Sequence, residues 1–379
     1  MLHQMAYWAA AAGVMSFASA FLLAKGFPAS RVGVLLAAGN LLSCAVQPIL
    51  ADRADRAGGL AGMVVGLTGL SMGCFAALLF LPLSQGVFGL LYLLGIFTFD
   101  AMMPLMNALS VACNACGRAV NYGFCRGIGS LAFSFAALLI GEAIAAWGED
   151  WMLWIVLALL GCNILITLGY PVLEQPERTE EQRVECCSIG VFFRRYRWYC
   201  LSLLGVMLLA MFHAMTENYL IEIFRPLGGD SSSVGVALFI ATVAEMPVML
   251  WFNAVRKRIS DQTLLKLSGV FFLLKAVLFL WAPSVGAIYG IQVLQAVTYS
   301  FLSPTQVYYA GAKVAPADMV KGQAFITASY TLGCAMGNFM GGQLLEFFSL
   351  RTMLLSGVAM AAAGTAVLVM TVGKRDLEP

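Results

Sequence analysis

A few ionisable and amide side chains stand inside otherwise unbroken apolar runs of this chain. Asp100 and Asn107 share one run, Arg126 lies in the next, His213 and Glu217 in a third, and Glu245 and Lys275 in two more. An ionisable group in such a helix is costly unless it faces a wet cavity or a partner, so each is first read as functional. With a rise of about 1.5 Å per residue, Asp100 lies about 15 Å and Arg126 about 10 Å from the same end of their helices, placed to pair across antiparallel neighbours. Asn107, on the same helix face as Asp100, extends a polar stripe towards that end. Glu245 and Lys275 fall at similar depths, about 15 to 18 Å, and form a second possible acid and base pair. His213 and Glu217 share one face, with Asn218 and Tyr219 beside them. The proton affinity of a half-buried carboxylate depends on its burial and on nearby cations, so movement of either switches it. That is the physics of a coupling site, with Glu245 the first candidate and Asp100 the second. The plainer alternatives are an ion pair that only ties two helices together for Asp100 and Arg126, snorkelling to an interface for Lys275, and helix packing for His213. Glu142 and Glu222, near helix ends, read as interfacial carboxylates.

The elements that must position these groups follow from composition. Of 379 residues, 61% are hydrophobic and only 11% charged, whereas soluble domains are about one quarter charged. This is an integral membrane protein. Apolar runs between polar breaks give spans near 5–24, 32–51, 59–82, 86–110, 119–144 and 151–171, then 198–223, 234–254, 263–282, 285–308, 322–346 and 351–372. Twelve helices of about 20 residues each account for most of the chain, so no sizeable soluble domain fits beside them. With the N-terminus in the cytoplasm, sixteen basic residues fall on that side and four on the other, while Arg126 and Lys275 lie within spans. That asymmetry puts both termini in the cytoplasm of an inner-membrane protein. Met1 to Met5 lacks a charged n-region and a cleavage site, so the first run reads as a retained span. Trp147, Trp151 and Trp154 read as an interfacial belt.

The longest polar stretch, 173–197, separates spans 1–172 from spans 198–379 as a cytoplasmic linker. The halves match at nearly constant offset: Val32-Gly33-Val34 on Val234-Gly235-Val236, Arg56 on Arg258, Pro104 on Pro304, Gly141 on Gly342 and Met152-Leu153 on Met353-Leu354. The offset stays between 200 and 202, the period of a duplicated six-helix unit. An all-α polytopic protein of two pseudo-symmetric six-helix bundles is the architecture of two-bundle transporters, which hold solute at midplane and rock one bundle against the other.

Other classes are disfavoured. A net charge of +2 carries no nucleic-acid signal. Most of the ten cysteines are isolated in apolar runs, where cysteine behaves as a small hydrophobe. Cys186 and Cys187 lack His or Cys partners at ligand spacing, so no metal site is expected. No phosphate-cradling loop or nucleophile with a base appears, so neither a cofactor nor catalysis is expected.

On these motifs the chain resembles the major facilitator superfamily and, within it, the group that includes the oligosaccharide and nucleoside proton symporters and the phenylpropionate transporters. The loop Leu50-Ala51-Asp52-Arg53-Ala54-Asp55-Arg56 resembles the gating motif between the second and third helices, with Asp55 where a glycine is usual. The resemblance implies gating roles for Asp52, Arg53 and Arg56. Tyr122-Gly123-Phe124-Cys125-Arg126-Gly127-Ile128-Gly129-Ser130 is similar to the group's aromatic-Gly-x-x-Arg-x-x-Gly signature, in which the arginine contacts substrate; Arg126 takes that role by match. Glu245-Met246-Pro247 resembles a Glu-x-Pro pattern of the group, and Lys275 stands where a ninth-span arginine is common. Where the sugar symporters carry a fourth-span carboxylate, this chain places Asn107, with Asp100 two turns earlier. Thr298 and Phe301 replace the His and Glu of their proton site.

The expected function is secondary transport of a small organic solute by alternating access in symport with protons, the solute being a sugar, a nucleoside or a small aromatic acid. Glu245 takes the proton, with Asp100 second. Arg126, Asp100, Asn107, Thr298, Lys275, His213 and Glu217 are the solute-binding candidates. Solute, protons and membrane lipid are the expected partners, and a monomer the expected state. The rival readings are a proton-antiport drug or lipid exporter of the same fold and a receptor or assembly factor that does not transport.

Overall fold

The computed structural model describes residues 1–57, 60–115, 122–169, 188–315 and 318–374. Among these residues the chain is helical, with no strand. The first span is α1 (Leu2–Ala11), a π-helical turn (Ala12–Ser16) and α2 (Ala18–Ala24), bent by 47°. There follow α3 (Ala29–Ala57), α4 (Leu60–Phe80), a fourth span broken into α5 (Gln85–Ala101) and α6 (Met103–Ala115), α7 (Tyr122–Trp147) and α8 (Asp150–Leu168). After the short α9 (Ile189–Arg195) the pattern resumes with α10 (Arg197–Asn218), α11 (Leu220–Phe224), α12 (Ser231–Leu250), α13 (Phe252–Arg256) and α14 (Asp261–Leu280). The tenth span is α15 (Val285–Gln292), a 3-10 turn (Val293–Ala296) and α16 (Tyr299–Lys313), and α17 (Met319–Phe347) and α18 (Leu350–Thr371) complete the chain.

Ten of these spans are long and apolar enough to cross a membrane, and the bent first pair is an eleventh. α17, at 29 residues, is the twelfth. Its polar residues lower its hydropathy, but Asn338 is buried within protein, where a polar side chain is tolerated at membrane depth. The first helix starts at Leu2, three residues ahead of the expected span, and this brings His3 and Gln4 into it.

The duplication is written in backbone geometry as well as in letters. The first span breaks at Phe17 (φ −98°, ψ 3°), and the seventh at Tyr219 (φ −107°, ψ 24°), 202 positions later. Gly26 (φ 81°) and Gly228 (φ 79°), again 202 apart, end those spans in the left-handed region that favours glycine. Ser84 precedes α5 and Ser284 precedes α15, 200 apart. Trp147 and Phe347 end α7 and α17 at the same offset.

Contacts divide the chain into unit 1, Met1–Glu177 with Glu217–Thr242, and unit 2, Arg178–Thr216 with Val243–Pro379. Lipid tails give helices no hydrophobic reason to associate, so close backbone approach at small residues does much of the packing. In unit 1 a Cβ on Gly95 would lie 2.7 Å from the Phe75 ring of α4, and one on Gly13 would lie 2.6 Å from Val156 of α8. α7 crosses the first half of α12 so tightly that a Cβ on Gly141 would lie 2.6 Å from the Ser231 carbonyl oxygen, and one on Gly235 2.5 Å from that of Ala137. Phe135 and Phe239 meet beside this crossing at 5.5 Å, Ser232 donates to the Glu142 carboxylate, and Ser19 donates to the Asn218 carbonyl. Trp147 and Trp151 lie together at 4.8 Å and, with Trp154, are exposed, as residues of an interfacial belt are.

In unit 2, Gly333 and Gly337 of α17 abut the α10 backbone at Met207 and Met211, and Gly205 of α10 faces Gly364 of α18. One end of this unit is clamped by Arg256, which donates to both Asp261 carboxylate oxygens at 2.7 and 2.9 Å and lies 3.5 Å over the Tyr308 ring. The Asp261 carboxylate raises the already high pKa of that guanidinium, so the arginine that joins α13, α14 and α16 keeps its charge throughout the physiological pH range. Beneath it Phe252, Leu264 and Phe301 form a small core. Phe301 is thus a packing residue.

Candidate functional site

Each unit carries a polar cluster within its helices. In unit 1 the cluster forms where the fourth span breaks. Pro104 is the second residue of α6, a position where its missing N–H costs nothing and its fixed φ suits a helix start. α5 therefore stops at Ala101, and Asp100 sits at the break. Asp100 is half-buried, and its Oδ1 is buried with no hydrogen-bond partner among the described residues. Its backbone carbonyl accepts from Gln47 Nε2 of α3 at 3.3 Å.

Asn107 lies beyond the break and is held from α1. Gln4 Nε2 donates to Asn107 Oδ1 and to the Met106 carbonyl, each at 3.3 Å, while Gln4 Oε1 accepts from Trp8 Nε1 at 3.0 Å. Asn163 of α8 donates to the His3 carbonyl at 3.1 Å, and Tyr7 stacks on Phe99 at 4.7 Å. The Trp8 ring rests on Gly129 of α7, where a Cβ would lie 2.6 Å from the indole Cδ1. Gly129 belongs to the same signature as Arg126 and comes one turn after it, so the signature's glycine seats an indole one turn from its arginine. The Arg126 side chain itself lies outside the described residues, and with it the expected Asp100 pairing. The same holds for Asp52 and Arg56 at the end of α3; Arg53 is exposed.

Gln4 and Trp8 were missed by sequence reasoning. The available signal was a His-Gln pair followed by Trp in an otherwise apolar run, the same kind of signal that singled out Asp100. Starting the span too late hid it. Gly129→Val should displace the Trp8 indole, destabilise unit 1 by about 1–3 kcal/mol and free Gln4. A lowered melting temperature in detergent together with a shift in tryptophan emission would be the signs of it, and wild-type values of both would refute the seat.

In unit 2 the cluster forms around the break in span ten. The 3-10 turn Val293–Ala296 and the non-helical Thr298 (φ −89°, ψ −84°) interrupt the helix, and the Gln295 carbonyl accepts from the Ser300 hydroxyl at 3.4 Å. Lys275 of α14 points there. It has no exposed surface, and its Nζ donates to Gln295 Oε1 at 2.7 Å. Snorkelling is thereby excluded: the ammonium is held inside protein, against the break. Thr298 is buried, and its hydroxyl donates to the Leu294 carbonyl at 3.0 Å and lies 3.5 Å from Gln295 Oε1. Gln295, the residue that holds Lys275, was not anticipated; nothing in the sequence indicates that span ten unwinds beside it.

His213 of α10 stacks on Tyr299 (5.5 Å, 16°) and meets the edge of Phe272 at 6.1 Å. Tyr299 meets Tyr330 of α17 at 6.1 Å. Cys334 follows Tyr330 by one turn on α17. Glu245 is half-buried two residues before Pro247, whose missing N–H leaves the Val243 carbonyl without its helical donor. Glu217, half-buried, lies one turn after His213 on α10, next to the break at Tyr219. The structure therefore brings His213, Lys275, Thr298 and Glu245 into one unit, on helices that surround the span-ten break. Among the described residues no three His, Cys, Asp or Glu side chains gather as metal ligands do.

The sequence matches the MFS_1 like family over residues 2–355. The chain belongs to the MFS_1 like family. It is a multi-pass membrane transporter of the major facilitator type, and not an enzyme. Among curated proteins it is 24% identical over 349 residues to the uncharacterized transporter YwbF of Bacillus subtilis (strain 168), covering 88% of this chain and 83% of that one. It is 25% identical over 360 residues to the maltose permease of Geobacillus stearothermophilus, covering 92% and 86%. Among solved structures the nucleoside transporter NupG superposes with a TM-score of 0.79 at 14% identity, covering 99% of this chain and 98% of that one. At that identity NupG speaks for the fold alone, and the family's all-α architecture of twelve helices accounts for the spans and the repeat described above.

Proposed function

We propose that this transporter carries a small organic solute across the inner membrane by alternating access in symport with protons, with both termini in the cytoplasm. The repeat, offset by 200 to 202 residues, supports one bundle at residues 1–172 and the other at 198–379, joined by the linker 173–197. The observation that carries the coupling assignment is the half-buried Glu245 carboxylate, two residues before Pro247 in α12 and in the same unit as His213, Lys275 and Thr298. A proton on Glu245 changes the charge of the unit that holds these polar groups, so proton occupancy and solute occupancy bias each other. Asp100, with a buried oxygen that has no partner among the described residues, is the second coupling group. Arg126 and Asp100 orient the solute, and Asn107 and Thr298 supply neutral hydrogen bonds. Asp52, Arg53 and Arg56 gate the cytoplasmic side.

The solute that suits these clusters has a flat ring with polar edges. His213, Tyr299 and Tyr330 bring aromatic rings and hydrogen-bonding atoms together in unit 2. Stacking groups suit a planar ring better than a saturated one. A nucleoside-like compound is therefore placed ahead of a sugar, and a small aromatic acid facing Lys275 or Arg126 follows. The test is the external pH of de-energised cells expressing the protein, on addition of nucleosides, sugars or phenylpropionate in turn. Alkalinisation with one class is expected; none with any class, in cells with verified expression, would overturn symport of these solutes.

A further inference from the structure

At one end of unit 2 cations from four helix ends gather, two of them, Lys374 and Arg197, against a single indole. Lys374, just past α18, places its Nζ 4.0 Å from the centre of the Trp198 ring, and Arg197 places its guanidinium carbon 5.2 Å from the same ring. Lys313, at the end of α16, donates to the Lys374 carbonyl at 2.7 Å. Lys266 of α14 has its Nζ 3.8 Å from where a Cβ on Gly373 would stand. Among the described residues none of the four has a carboxylate partner. Trp198 is half-buried and Arg197 and Lys374 are exposed.

Helix ends account for part of this. Lys313 ends α16 and Lys374 follows the C-terminus of α18, where the helix dipole favours positive charge. Arg197 does the opposite: it is the first residue of α10, the dipole's positive end, where a cation is disfavoured. Gathering four like charges, one of them against a dipole, is unfavourable until an anion joins them. A phosphodiester supplies delocalised charge and several acceptors for ammonium and guanidinium groups at once. Trp198 is the side chain expected where chain meets headgroup, with an apolar body and a polar edge. Helices α10 and α14 begin at this end and α16 and α18 finish here, so the place lies at a membrane surface. On the distribution of basic residues it is the cytoplasmic one, whose leaflet is rich in anionic lipid.

We infer that Arg197 and Lys374, which flank Trp198, together with Lys266 and Lys313 beside Gly373 and Lys374, form a binding site for the headgroup of an anionic phospholipid. The site is separate from both polar clusters, and it does not depend on the solute or on proton coupling.

The test is lipid retention by the full-length purified protein in native mass spectrometry, with phosphatidylglycerol against phosphatidylcholine. Wild type should prefer phosphatidylglycerol. Each of Arg197→Gln, Lys266→Gln and Lys374→Gln should weaken that preference about fivefold, the effect of one basic residue at a charged surface. Arg197→Lys should retain most of it, and Arg351→Gln, a basic residue at the opposite end of α18, should leave it unchanged; melting temperatures verify folding throughout. Equal retention of the two lipids, or an unchanged preference when all three charges are removed, would overturn the site. Competition by inorganic phosphate as effective as by phosphatidylglycerol would overturn the lipid in favour of a soluble anion. A preference seen only after removal of residues 375–379 would give the place to the chain's own Asp376 and Glu378.

Discussion

Glu245→Gln is expected to reduce the solute-driven alkalinisation to the level of cells without the protein. Glutamine keeps the size, the hydrogen-bonding capacity and the position two residues before Pro247, but it cannot exchange a proton in the working pH range. The loss should fall on coupling and spare the fold. Exchange of labelled for unlabelled solute, which needs no net proton movement, should persist in reconstituted vesicles. Alkalinisation at the wild-type rate in the variant would remove Glu245 from the proton path and leave Asp100 as the remaining carboxylate. Loss of both coupling and exchange, in protein with a normal melting temperature, would instead mean that Glu245 holds the solute.

A comparable loss is expected from Gly235→Leu. At the α7 crossing a Cβ would press on a carbonyl oxygen of Ala137, 2.5 Å away, and backbone cannot move aside as a flexible side chain does. Overpacking of this kind costs about 1–3 kcal/mol, and here it is relieved by parting α12 from α7. Parting them breaks the Ser232 to Glu142 hydrogen bond and the Phe135 contact with Phe239. Uptake should fall to a small fraction of wild type while expression is retained. A cysteine introduced as Ser231→Cys should react faster with an impermeant maleimide in the Gly235→Leu background. Unchanged uptake and unchanged labelling would show that the crossing is not needed in the transport cycle.

The sequence revealed depth and periodicity well and partners poorly, for a physical reason. In a membrane chain the apolar background makes any polar residue conspicuous, and so Asp100, Asn107, His213, Glu245 and Lys275 stood out. The shared offset located the repeat, and the backbone repeats it at Gly26 and Gly228 without any need for matching neighbours. The breaks in spans one, four, seven and ten did not stand out, because an interrupted membrane helix is stabilised by what surrounds it. Pro104 and Pro304 were matched as letters, yet only Pro104 stands at the start of a helix after a break; Pro304 lies inside α16 and does not indicate where span ten unwinds. Gln295 follows from such a break and could not be paired with Lys275 beforehand. Gln4 was lost to a boundary error of three residues, a small shift in a helix but enough to move the side chain that holds Asn107 out of view.

The burial of Lys275 also makes it a built-in reporter. The chain has seven lysines, and it is the one with no exposed surface. Amine-directed reagents need an uncharged, reachable nitrogen, and Gln295 occupies this one. A covalent footprint that spares Lys275 while marking Lys25, Lys257 and Lys374 would therefore record the resting protein. Modification of Lys275 that rises or falls as a candidate compound is added would register the opening of span ten, in unmodified protein and without a radioactive tracer.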